Sequence, residues 1–244
     1  FSPVTTEAAA QIPNSDFETW SELLHVYTPY LSSSINYYWH RPYGNSLETK
    51  IWDNNGMKSM PSSDTGWSDP NVKCFPCAGR STDRAQGNYS ALIFTVNVGW
   101  NNTMSSAVGT THVGELFIGS ADGNGNISKG SVSFASRPSA LKIHYKYAPY
   151  NSEMFSATVT LYNGTTPIAS GGFSDGASAS SWTSRTIPLA YSDQSLKATH
   201  IHVSFKPTTS DSPGVKTNAR IEYNGKTESG LFGSQLRLDD LQLI

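Results

Sequence analysis

Charge is scarce in this sequence. Only 15% of its residues are Asp, Glu, Lys or Arg, 19 acidic against 17 basic, for a formal net charge of -2. A surface this nearly neutral has no field to draw nucleic acid or an anionic bilayer, so neither is expected as a partner. Long apolar runs are missing as well. None approaches the roughly 18 residues that a membrane-spanning helix needs, so no transmembrane segment is expected. Cysteine occurs twice, in Cys74-Phe75-Pro76-Cys77, with no second pair elsewhere. Tetrahedral zinc would need further thiol or imidazole ligands, and a thioredoxin-like role needs a βαβ setting that is absent. In an oxidising compartment the pair reads as a local disulfide staple, with two free thiols as the alternative. The sequence has no Gly-x-Ser-x-Gly elbow, no His-Glu-x-x-His and no phosphate-binding glycine loop.

What is abundant points to strands. Aromatics reach 11%, with 6 Trp and 12 Tyr, among many Ser, Thr, Asn and Gly residues. Leu141, Ile143, Tyr145 and Tyr147 alternate with polar residues, as do Ala157, Val159 and Leu161, and Ile201, Val203 and Phe205. A period of two places one set of side chains on a single buried face. Leu236 and Leu238 give way to Leu241 and Leu243, so the apolar phase slips across Asp239-Asp240 and predicts a bulge there. Asn163-Gly164, Gly171-Gly172, Asp175-Gly176 and Asn224-Gly225 read as turns between the runs. The expected fold is all-β, a two-sheet antiparallel β-sandwich of jelly-roll type with long aromatic-rich loops. Phe17 to Tyr27 is the one stretch with some helical character. Residues 1–11 read as a linker or tether, and 12–244 as one sandwich domain. The chain begins at Phe1 rather than Met, which is compatible with a removed signal segment.

Thr28 to Asp83 lacks periodicity but is rich in Tyr, Trp, Pro, Ser, Asn and Gly, which predicts ordered loops on one edge of the sandwich. Sugar rings have apolar C–H faces and polar rims, so a sugar site needs flat aromatics beside amide and carboxylate groups. Trp39, Trp52 and Trp67 are the candidate platforms, with Tyr38, Asp53 and Asn54 as ligand-binding neighbours. The competing reading is that these aromatics only cover the sandwich end as core. His144, His200 and His202 read as solvent-facing imidazoles rather than metal ligands. Asp53, Asp64, Asp69, Glu115 and Asp122 are available for a glycosidase carboxylate pair, but nothing in the sequence selects two of them.

Several ordered segments resemble the "putative carbohydrate metabolism domain" family of Bacteroidetes. They are Ile12-Pro13-Asn14-Ser15-Asp16-Phe17-Glu18-Thr19-Trp20, Trp52-Asp53-Asn54-Asn55-Gly56, the block from Gly114 through Arg137-Pro138 to Tyr145-Lys146-Tyr147, and Leu238-Asp239-Asp240-Leu241. The resemblance implies a β-sandwich in exported proteins of the periplasm or cell surface, with a lipid anchor upstream of the chain and carbohydrate as partner. The two ends also resemble the termini of jelly-roll carbohydrate-binding modules, which implies a structural Ca²⁺ held by Asp16, Glu18, Asp239 and Asp240. Hard cations do prefer such oxygen sets. The alternative is that Glu18 and Asp240 cap turns or pair with Arg237 or Lys50. The expected function is a noncatalytic glycan-binding component of a polysaccharide-utilisation system, stacking sugar rings on loop aromatics. The alternatives are a glycoside hydrolase or lyase using loop carboxylates, and a structural or adhesive surface module.

Overall fold

A computed structural model describes residues 9–27, 35–44, 50–60, 75–97, 110–193 and 195–244. The strands in chain order begin with β1 (Ser21–Tyr27), β2 (Ile35–Arg41), β3 (Trp52–Asn54), β4 (Ala78–Ser81), β5 (Ser90–Asn97) and β6 (Thr111–Val113). They continue with β7 (Leu116–Ala121), β8 (Ile127–Lys129), β9 (Val132–Ser133), β10 (Ala140–Ala148), β11 (Phe155–Asn163) and β12 (Thr166–Asp175). Last come β13 (Ala179–Pro188), β14 (Ala190–Tyr191), β15 (His200–Lys206), β16 (Lys216–Tyr223) and β17 (Lys226–Leu243). One sheet has the order β13-β10-β17-β5-β4, with β16 on β17 and β6 on β5. The other runs β14-β12-β11-β15-β7-β3, with β8 on β7 and β9 on β15. β1 and β2 form a separate hairpin sheet, and the pairings in all three sheets are antiparallel.

The alternating runs bury one face each, as their pattern predicts. Ile143, Tyr145, Leu236 and Leu238 of one sheet meet Val159, Leu161, Ile201 and Val203 of the other in a common core. The fold is therefore a two-sheet antiparallel sandwich, compatible with a jelly-roll order. β5 is buried along its whole length, because a second cluster covers its other face. There Leu92, Phe94 and Val96 pack beneath Ile221, Tyr223 and Phe232, where β16 and the start of β17 fold over the sheet.

The bulge predicted at Asp239-Asp240 is present. Asp240 has φ 46, and the register of β17 on β10 shifts between Lys142 and His144. Gly164-Thr165, just after Asn163 at the end of β11, connects β11 to β12, and Asn224-Gly225, with φ 51 and 81, connects β16 to β17. Gly171-Gly172 is not a turn but lies inside β12. A Cβ at Gly171 would come within 2.6 Å of Pro188 O, so this glycine is there for close approach.

Two further expectations are corrected. Phe17 to Tyr27 is not helical: Ser21–Tyr27 forms β1, paired residue by residue with β2. Gln11 is not a free linker residue, since its side chain donates to Leu243 O and accepts from Leu243 N, both at 2.8 Å. With Leu241 N donating to Ser15 O at 2.9 Å, the first and last described segments lie side by side.

Candidate functional site

The aromatics singled out in the sequence divide between interior and surface. Trp52 is fully buried, set edge-on to Phe17 and stacked on Phe205, and its indole N–H donates to Pro13 O at 3.1 Å. Trp39 is buried against Met57 and Met60, and it donates to Asn54 Oδ1 at 2.5 Å. Neither indole offers a face to a ligand, so both are corrected from platforms to packing residues.

Asp53 and Asn54 are likewise internal. Burial pushes the Asp53 carboxyl up, against the Lys50 ammonium at 2.6 Å and N–H bonds from Ala121 and Asn54. Asn54 accepts from Trp39 and from Gly56 N, and donates to His40 O. These side chains fix β3 and the 3-10 turn Gly56–Ser59 rather than binding sugar hydroxyls. Trp67 lies outside the described residues.

Tyr38 is the candidate aromatic that reaches solvent, with 47% of its surface exposed. Adjacent strand residues point to opposite faces, so burying Trp39 turns Tyr38 outward. Opposite Tyr38 on β1 is Leu24, and Val26 lies opposite Asn36. Leu24 and Val26 are themselves exposed, which extends the apolar strip beside the ring. Next to this strip is a cleft of about 120 Å³. Tyr37, Tyr38, Phe75 and Pro76 form its apolar wall, and Asn36, Asn224, Lys226 and Glu228 supply polar groups.

The cleft is held from below by interactions that the sequence did not reveal. Tyr223 Oη donates to Tyr38 O at 3.0 Å, so Tyr38 sits on a fixed backbone. His40 Nδ1 lies 3.0 Å from the same oxygen. Burial, with the charge of Arg80, lowers His40 to about 3, so its imidazole is neutral at ordinary pH. Arg80 donates to Asn224 Oδ1 at 2.6 Å and to Glu22 at 2.5 Å, which fixes the Asn224-Gly225 turn at the rim. Phe75 packs edge-on to Tyr37 and to Phe232.

A second, more polar cleft of about 350 Å³ opens elsewhere, beside Glu115 and Lys206. Glu115 was one of several unselected acids in the sequence. Here it is buried, with Oε1 2.6 Å from Lys129 Nζ and 2.7 Å from Ser204 Oγ.

The acids at the chain ends act as loop anchors. Against the upward push of burial, N–H bonds from Tyr89 and Asn88 hold Glu18 below the usual carboxylate range. Asp239 is fully buried. Burial raises it, while the N–H groups of Gln86, Ala85 and Asp240 bond its oxygens. Both side chains thus grip residues 85–89. Asp240 faces His144 at 3.3 Å, and Asp16 is exposed. Among the described residues no three His, Cys, Asp or Glu side chains gather as a metal site would require. Carboxylates aimed at N–H donors fit loop anchoring rather than a cation. Chelation is therefore expected to leave the melting temperature unchanged. Asp239→Asn should lower stability by about 1–3 kcal/mol, because one of its N–H partners would face an amide N–H₂. A drop on chelation that added calcium reverses would overturn this account.

Cys77 is a free, fully buried thiol pushed up to about 12 by burial, with its Sγ 3.4 Å from Asn55 O. Its expected partner Cys74 lies outside the described residues. His200 bonds Thr199 Oγ1 and His202 bonds Gly130 O, on the opposite sheet from His144.

No protein-family model matches the sequence, and neither does any curated protein. Among solved structures the chain is similar to a putative glycoside hydrolase from Bacteroides vulgatus ATCC 8482. The TM-score is 0.54 at 14% identity, over 94% of this chain and 96% of that one. A putative glycoside hydrolase from Bacteroides thetaiotaomicron VPI-5482 is similar at TM-score 0.51 and 15% identity, over 92% of this chain and 72% of that one. At these identities the likeness is one of fold.

Proposed function

We propose that the protein is a noncatalytic glycan-binding module whose ligand lies across the Tyr38 cleft. The observation that carries this reading is an exposed tyrosine on a strand whose backbone Tyr223 fixes, flanked by Leu24 and by the polar groups of Asn36, Asn224 and Lys226. A sugar presents an apolar face to the ring and hydroxyls to the rim, and a prebuilt cleft loses little entropy on binding. The likeness to two putative glycoside hydrolases and the family resemblance support carbohydrate as ligand class. The same resemblance supports an exported protein of the periplasm or cell surface, with a lipid anchor.

Hydrolysis is the second reading, favoured by that same likeness. It needs two carboxylates about the scissile bond, and the described residues lining this cleft include one, Glu228. Tyr38→Ala is expected to weaken binding of a recognised polysaccharide by about tenfold, roughly 1.4 kcal/mol, with no change in melting temperature. Titration calorimetry against the polysaccharide that retards the protein on an affinity gel measures this. Equal affinity in the two proteins would sink the proposal.

A further inference from the structure

We infer that the Glu115–Lys206 cleft is a second binding site, separate from Tyr38, for a neutral, polyhydroxylated ligand such as a sugar unit. It lies at one end of the outer face of the β14-to-β3 sheet. Ser156 and Lys206 are register partners there, while their neighbours Ala157 and Phe205 point into the core. Its volume of about 350 Å³ falls within the range of roughly 300–1,000 Å³ usual for small-molecule sites.

The central feature is an incomplete ion pair. Glu115 Oε1 is satisfied by Lys129 and Ser204, but among the described residues Oε2 has only Lys206 Nζ, at 3.7 Å. That gap is too long for a hydrogen bond. A hydroxyl between the two groups would accept from the ammonium and donate to the carboxylate, a pairing that suits an alcohol and no simple ion.

The adjoining loop adds hydroxyl donors. Thr208 Oγ1 accepts from Ser210 N at 3.0 Å, and Ser210 Oγ accepts from Ser212 N at 3.2 Å. With those lone pairs used, each hydroxyl retains its proton for a ligand oxygen. Thr209 N donates to Met154 O at 2.9 Å, which pins the loop to the sandwich.

The charges set the ligand class. Glu115 and Asp211 are matched by Lys206 and by Lys129 behind the carboxylate, so an ion of either sign gains no net attraction. None of the described residues that line the cleft is aromatic, so their contribution to binding rests on hydrogen bonds, unlike binding at Tyr38.

The test is an amide NMR titration of the full chain with glucose as probe, and with glucuronate and glucosamine as charged comparators. Glucose should give saturable shifts at Glu115, Lys206 and Thr208 to Asp211. Lys206→Ala removes a half-exposed side chain without touching the buried carboxylate, and it should weaken those shifts by about tenfold or more. Tyr38→Ala should leave them unchanged, so failure at either cleft is read independently of the other. No saturable glucose shift at these amides, or equal affinity in Lys206→Ala, would overturn the inference. Tighter binding of either charged comparator than of glucose would overturn the assigned ligand class.

Discussion

Trp52→Ala should destabilise the protein by about 3–5 kcal/mol, the usual range for truncating a fully buried large aromatic. Trp52 joins three parts of the molecule. It sits on β3, packs on Phe205 of β15 and meets Phe17 of the first described segment. Its indole N–H also satisfies Pro13 O, which would lose its partner. For a chain of 244 residues this corresponds to a fall in melting temperature of roughly 6–20 °C. Thermal and denaturant melting of the variant measure it. An unchanged melting temperature together with lost glycan binding would return Trp52 to the role of a sugar platform and contradict its placement in the core.

Acid should weaken the fold through His40. The folded chain holds this imidazole at about 3, whereas the unfolded chain titrates near 6.5. Above the unfolded value neither state is protonated, and His40 makes no pH-dependent contribution. As pH falls below it, only the unfolded chain binds the proton. Stability then declines by up to about 1.4 kcal/mol per pH unit, roughly 4–5 kcal/mol by the time the folded value is reached.

The groups facing the ring explain why it resists protonation. It is buried against Tyr223, with Arg80 nearby, and the Glu22 carboxylate is 3.5 Å away but itself exposed and paired with Arg80. Other groups modify the profile at lower pH. Glu18 and Glu222 are held below their usual range and add to the acid loss. Asp53 and Asp239, raised by burial, oppose it. His40→Gln separates these contributions. The variant should be less stable than the parent at neutral pH, with the gap narrowing toward about pH 4. Parallel pH profiles for the two proteins would contradict the buried neutral imidazole.

The sequence was legible where burial follows from local pattern. β10 and β11 alternate buried with more open residues along most of their length, as do the start of β15 and the last third of β17, and the phase slip at Asp239-Asp240 is a bulge because one extra residue must be absorbed there. It was not legible where burial is decided by distant elements. β5 is buried on both faces because β16 and β17 cover it, and no alternation survives in such a strand. Phe17 to Tyr27 read as weakly helical because Glu18, Glu22, Leu23 and Leu24 are adequate helix formers, and the identity of β1 as a strand comes from pairing with β2.

The same limit applies to the site. Amide and carboxylate groups beside tryptophan suggested a sugar cradle, but Asn54 and Asp53 serve Trp39 and Lys50 inside the protein. One signal was available. Reading Asn36 to His40 as a strand places Tyr38 on the face opposite Tyr37 and Trp39. Glu115, just before β7, and Lys206, the last residue of β15, are distant in sequence, and only the fold brings them to one cleft.

The most direct test of the central claim is to screen the wild-type protein and Tyr38→Ala against plant, host and microbial polysaccharides, following bound protein and newly formed reducing ends in the same samples. Recognition at the Tyr38 cleft without turnover predicts saturable binding of a subset of glycans by the wild type. It also predicts loss of that binding in the variant and no rise in reducing ends with either protein. Binding that survives Tyr38→Ala, or reducing ends that accumulate with the wild type, would contradict it.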